Sequence, residues 1–144
     1  MEICWGPALA VGRSEIDEQH RELFSCADGF VVACRQGCGQ EYVAKALQFL
    51  ERYAVRHFGH EEALMARYGY PAIERHRAQH VVFTRRSTEL KWAVRTNGPG
   101  PDVIDMTGRL MLGWLAAHIQ ADDVALVAYL STIQEVGAKT VTAV

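Results

Sequence analysis

Val43, Leu47, Leu50, Ala54, His57, Glu61, Leu64 and Tyr68 follow one another in alternating steps of four and three residues. Only an α-helix gathers such a run into one stripe, because a strand would throw successive members onto opposite faces. A narrow stripe sustained this long belongs to a helix packed in a bundle. Two of its members, His57 and Glu61, are polar.

The same spacing recurs in three other stretches. The first reads Ile16, His20, Leu23, Ala27, Phe30, Cys34; the third reads Ile73, His76, His80, Phe83, Ser87, Leu90, Val94; the fourth reads Ile104, Thr107, Met111, Trp114, His118. Gln36-Gly37-Cys38-Gly39, Gly69-Tyr70-Pro71 and Asn97-Gly98-Pro99-Gly100-Pro101 separate the four. The chain is therefore expected to be all-α. Helices are expected at about 15–36, 41–68, 72–95 and 102–121, with an N-terminal loop arm and a C-terminal extension after about residue 131. Ser14-Glu15-Ile16-Asp17 reads as a capping box, Gly69 as a C-terminal cap, Pro71 as a first-turn proline and Asp102 as an N-terminal anion. Short connections make consecutive helices antiparallel neighbours, so residues 1–144 are expected to form one up-down-up-down four-helix bundle.

Every stripe contains histidine, and the depths agree. His20 lies near the start of helix one, His57 and Glu61 toward the end of helix two, His76 and His80 near the start of helix three, and His118 toward the end of helix four. In an antiparallel bundle these positions share one end, with offsets of roughly 10 Å or less at about 1.5 Å of rise per residue. A single histidine on an apolar face is ordinarily a hydrogen-bonded core residue, and Glu61 alone reads as an ion-pair partner of Arg56 or Arg67. Five imidazoles and a glutamate at one level are too costly to bury without strong partners. His57 with Glu61, and His76 with His80, are i, i+4 chelating pairs. With no cysteine in the cluster, the set suits iron, manganese, copper or zinc, and five nitrogens exceed one tetrahedral ion. Two metals are the natural number.

These residues resemble the hemerythrin family, in particular its single-domain bacterial members. The match runs from Trp5 through Ile16-Asp17-Glu18-Gln19-His20-Arg21-Glu22-Leu23-Phe24, His57-Phe58-Gly59-His60-Glu61-Glu62, Tyr70-Pro71, His76-Arg77-Ala78-Gln79-His80 and Trp114-Leu115-Ala116-Ala117-His118-Ile119-Gln120-Ala121-Asp122-Asp123. The resemblance implies a non-heme pair of iron ions joined by an oxo or hydroxo bridge. It assigns His76, His80 and His118 to one iron, His20 and His57 to the other, and Glu61 and Asp123 to both. It further implies reversible dioxygen binding at the iron with two histidines, and an apolar lining of Leu23, Trp114, Leu115 and Ile119. On a regular helix Asp122, four residues after His118, shares its face, while Asp123 is turned about 140° away. The family pattern takes Asp123, which requires the helix to break or distort after His118; Asp122 is the competing candidate. His60 has no ligand position and reads as surface or supporting.

Other classes fit less well. A net charge of -2 without a concentrated Lys/Arg run argues against nucleic acid or an anionic membrane as partner. No signal peptide is expected, and no unbroken apolar run reaches membrane length, so the chain is expected in the cytoplasm, without membrane insertion, with Cys4, Cys26, Cys34 and Cys38 as free thiols. Cys34 and Cys38 read as small helix-end residues rather than a redox pair. A carrier or store of dioxygen, supplying a downstream oxygen-consuming enzyme, fits better than an oxygen or redox sensor. A di-iron oxidase or peroxidase is less favoured, because no glutamate is followed three residues later by histidine.

Overall fold

A computed structural model of the chain describes residues 6, 7 and 10–142, with side chains through Ile133. Trp5 and Cys4 lie outside the described residues. The architecture is all-α: helix α1 spans Ser14–Arg35, α2 Gly39–Arg67 and α3 Ile73–Asn97. The fourth rod, α4, runs from 101 to 142 as α-helix Pro101–Gly108, π-helix Arg109–Leu115, α-helix Ala116–His118, π-helix Ile119–Asp123 and α-helix Val124–Thr142. It packs against all three other helices, while α2 lies between α1 and α3. The rod continues well beyond the expected end at 121 because no glycine or proline pair interrupts it there.

Helix ends follow local chemistry, with one departure. Gly37 and Gly69 take the left-handed conformation (φ 77° and 63°). Beyond them the Cys38 N–H reaches Ala33 O at 2.8 Å and the Tyr70 N–H reaches Met65 O at 2.9 Å, which satisfies carbonyls that the helix end leaves open. The capping box expected at Ser14 does not form: Arg13 is the N-cap and makes no side-chain cap. Asp17 instead reaches back to the N-terminal loop, where its carboxylate accepts the Val11 N–H at 2.8 Å and the Gly12 N–H at 3.2 Å. Pro71 lies in the turn before α3 rather than in its first turn.

The apolar interior is divided. The larger cluster fills the middle of the bundle with Leu23, Phe30, Leu47, Leu50, Phe58, Phe83, Leu115 and Ile119 among its members. A smaller one closes the end with Ile16, Leu64, Met65, Tyr70, Leu126, Val127 and Leu130. The five buried histidines, Glu61, Asp122 and Asp123 fall between these clusters, so apolar side chains bound this polar layer above and below. By length and composition, residues 101–133 could also cross a membrane. Half of that apolar stretch is buried within the bundle, and it carries His118, Asp122 and Asp123, as suits a core helix.

Candidate metal centre

The side chains of His20, His57, Glu61, His76, His80, His118 and Asp123 meet in this polar layer, all nearly inaccessible to solvent. Their donor atoms form two groups. His20 Nε2 lies 3.3 Å from His57 Nε2 and 2.9 Å from Asp123 Oδ2, and His57 Nε2 lies 3.4 Å from Glu61 Oε1. On the other side, Glu61 Oε2 lies 3.3 Å from His76 Nε2 and 3.2 Å from His80 Nε2, while Asp123 Oδ1 lies 3.4 Å from His76 Nε2 and 3.0 Å from His118 Nε2. Each carboxylate thus turns one oxygen toward two imidazoles on one side and its other oxygen toward imidazoles on the opposite side.

Two sets of ligand atoms are compact enough to hold a cation, each within 4.8 Å: Glu61, His76, His80 and His118, and His20, His57, Glu61 and Asp123. The donor set fits metal for a further reason. Both Glu61 oxygens, Asp123 Oδ1 and the Nε2 atoms of His76, His80 and His118 are buried without an aligned hydrogen bond among the described residues. Orphaned polar atoms aimed at a common point are costly unless a cation gathers them.

Protonation follows the same geometry. Burial depresses the His57 imidazole to about 4, and burial together with the neighbouring His76 and His118 depresses His80 to about 2, so both present free lone pairs at neutral pH. His76 goes the other way: burial would lower it, but the carboxylates of Asp123 and Glu61, 3.4 and 3.3 Å from its Nε2, outweigh burial and carry it to about 9. Burial and the Asp123 charge raise Glu61 well above the usual carboxylate range. Burial opposes the ionised form of Asp123 too, yet the close imidazoles of His118, His20, His57 and His76 hold it well below that range. The pocket without metal therefore retains protons where a cation would sit.

A π-helix supplies the distortion that Asp123 needs. Over Ile119–Asp123 the backbone takes the wider turn, whose hydrogen bonds run from i to i+5, so residues five apart share a face. The helix distorts without breaking. Asp122 is also buried, but one of its oxygens accepts from Arg75 at 2.8 Å and the other lies 3.5 Å from His118 Nδ1, on the outer side of the ring. His60 is a partly exposed residue paired with Glu15 at 3.2 Å. Arg56, weighed as a partner of Glu61, pairs with Glu22, and Arg67 lies over the Tyr68 ring.

Three supporting residues received no role from the sequence. Gln19 accepts from His57 Nδ1 at 2.7 Å, Glu62 from His80 Nδ1 at 2.9 Å, and Gln79 from His118 Nδ1 at 2.9 Å. Bonding the outer nitrogen fixes the tautomer and points the Nε2 lone pair inward. Their one sequence signal is adjacency to a site residue, since Gln19 precedes His20, Gln79 precedes His80 and Glu62 follows Glu61. All three serve a ring on the next helix along the chain, which adjacency does not reveal. Tyr53, stacked on His57 with ring centroids 4.9 Å apart, was missed as well.

Of the expected lining, Leu23, Leu115 and Ile119 are fully buried beside the site. Trp114 is only partly buried and lies flat on His118, with centroids 4.9 Å apart and planes at 10°.

Residues 11–130 match the model of the hemerythrin HHE cation binding domain. The chain belongs to the hemerythrin family. A bacteriohemerythrin of Stenotrophomonas maltophilia is 30% identical to it over 123 residues, covering 85% of this chain and 78% of that protein. A bacteriohemerythrin of Pseudomonas aeruginosa is 33% identical over 125 residues, 87% of this chain and 79% of the relative. Similarity extends to a myohemerythrin of the animal Riftia pachyptila, 25% identical over 119 residues, with 83% and 86% covered. As a hemerythrin domain with a buried His/Glu/Asp cluster, the chain is built to bind metal.

Proposed function

We propose that this hemerythrin binds dioxygen reversibly at a pair of iron ions, as a carrier or store that delivers to an oxygen-consuming enzyme. His76, His80 and His118 would hold one iron, His20 and His57 the other, with Glu61 and Asp123 shared between them and an oxo or hydroxo bridge completing the pair. The observation that carries this reading is that Glu61 and Asp123 each turn one oxygen toward the group of His76, His80 and His118 and the other toward the group of His20 and His57. Two imidazoles on one side against three on the other would leave room for a small ligand beside His20 and His57. Bound in the ferrous form, the pair supplies the two electrons with which dioxygen is held and which return on its release.

The chain's own residues do the rest. Gln19, Glu62 and Gln79 hold the rings in register so that little reorganisation accompanies a change of oxidation state. Leu23, Leu115 and Ile119, with Trp114 at the rim, exclude water and anions that would compete for the open position. The imidazole-rich donor set carries less negative charge than a carboxylate-rich one, which favours binding over oxidation of a substrate.

The test is the visible spectrum of the reduced, iron-loaded protein before and after oxygen is admitted, alongside metal analysis. A coloured adduct that disappears on deoxygenation, at about two irons per chain, is expected. A single tightly held zinc, or rapid catalytic consumption of a reductant, would overturn the reading.

A further inference from the structure

One turn inward from the polar layer, toward the middle of the bundle, each helix contributes a roof residue: Leu23 three residues after His20, Tyr53 four before His57, Phe83 three after His80, and Leu115 three before His118. The two sides of the centre are roofed differently. Over His80 and His118 lie rings without a hydroxyl: Phe58 stacks on His80 at 3.8 Å, Trp114 stacks on His118 at 4.9 Å, and Phe83 packs on both Phe58 and Trp114. Over His20 and His57 lie Leu23 and Tyr53, and the Tyr53 ring stacks on His57 at 22°.

Tyr53 is 2% exposed, and its hydroxyl has no hydrogen-bond partner among the described residues. A hydroxyl buried in this way is destabilising unless something pairs with it. Packing alone does not call for it, because phenylalanine fills comparable buried positions in the same core at Phe30, Phe58 and Phe83. The donor stands on the side with two imidazoles, its ring stacked on His57.

We propose that Tyr53 is a further ligand-binding residue, its O–H donating a hydrogen bond to a small acceptor held beside His20 and His57. The inference rests on the dioxygen-binding reading and adds the residue that orients the ligand. Phenol is a donor at every pH at which the bundle would work, so it suits a ligand that gains negative charge on binding. Leu23, buried one turn after His20, adds an apolar neighbour.

The experiment uses the iron-loaded diferric protein with azide as probe, comparing the parent with Tyr53→Phe. Expected are an unchanged iron content, an azide Kd raised about tenfold, and a shifted azide stretching band in the infrared. The metal-free Tyr53→Phe protein should melt at the same temperature as the parent or higher, because its only loss is an unpaired buried hydroxyl. Replacing Tyr53 by 3-fluorotyrosine keeps the shape and strengthens the donor, and should tighten azide; this arm also serves if Tyr53→Phe fails to fold. Equal azide affinity and an unmoved band in both variants would overturn the role of Tyr53 while leaving the metal centre intact. Failure of the parent to hold iron, or to bind either azide or dioxygen, would overturn the underlying reading and this inference with it.

Discussion

Asp123 stands five residues after His118, yet its Oδ1 lies 3.0 Å from the His118 Nε2. A regular helix would place these side chains about 140° apart. The π turn over Ile119–Asp123 removes the mismatch, and it leaves Asp122 on the outer flank of the ring, held by Arg75. One helix thereby sends adjacent carboxylates to different tasks. A π segment gives up good hydrogen-bond geometry, and such segments concentrate where function demands an awkward placement.

This division separates two otherwise similar substitutions. Asp123→Asn should abolish retention of a metal pair, because it replaces one of the two oxygens that face opposite groups of imidazoles with an NH2 that cannot coordinate, and removes the negative charge. Asp122→Asn should keep two metals per chain but weaken them by roughly 10-fold, as loss of an outer-sphere partner does. Metal analysis after gel filtration, with chelator competition, checks both. Equal metal content in the two variants would show that the adjacent carboxylates are interchangeable.

Much of this was legible in the sequence because periodicity reports on burial. His20, His57, Glu61, His76, His80 and His118 all occupy their helices' inner stripe, and each is buried at the common level. The fourth helix was read less well. A first π segment, Arg109–Leu115, shifts its register, so Leu110 and Leu115 enter the core while Trp114, placed on the stripe by regular spacing, is only partly buried. Nothing in the residues Arg109–Leu115 announces that insertion. Gln19 and Gln79 were invisible for another reason: each serves a histidine on a different helix, a contact decided by how helices cross rather than by spacing along one of them. Asp17, read as part of a capping box, anchors the preceding loop instead, because Gly12 turns the chain back over it (φ 86°).

Gln79 offers a test of that cross-helix support. Its oxygen fixes the His118 ring from behind, and Gln79→Ala leaves the ring free to rotate or change tautomer. Metal affinity should fall by about 10–100-fold with helicity unchanged. Chelator competition and far-ultraviolet circular dichroism together measure this. An unchanged affinity would mean that packing against Phe58 and Trp114 alone holds the ring.

Protons and metal compete for the same pocket. Without metal, His76 is raised to about 9, chiefly by its carboxylate neighbours acting against burial, and Glu61 is raised by burial and the Asp123 charge. Both groups must be deprotonated to become ligands. Loading near pH 7 should therefore release protons, and affinity should rise with pH until His76 has lost its proton near pH 9. Calorimetry in buffers of different ionisation enthalpy reads the number released. An affinity that is flat between pH 7 and 9 would show that His76 is already neutral in the unloaded protein.

Stability should divide along the same boundary between polar layer and apolar core. Without metal the folded state keeps orphaned oxygens and nitrogens at its centre, and a cation that binds only the folded chain stabilises it by about 2.7 kcal/mol at a free concentration one hundred times its Kd. For a chain of this size that corresponds to a rise in melting temperature of roughly 5–15 °C. Leu50 provides the contrast: it is fully buried in the larger apolar cluster, about two turns from His57. Leu50→Ala should cost roughly 2–5 kcal/mol by opening a cavity, and should cost the same with metal present or absent, because at about 1.5 Å per residue it sits roughly 10 Å along the helix from His57. Denaturant melts of parent and variant, each loaded and chelated, give the four values needed. A metal-dependent penalty at Leu50 would reveal coupling between core packing and the centre, and a chelated parent as stable as the loaded one would mean that the polar layer is satisfied without a cation.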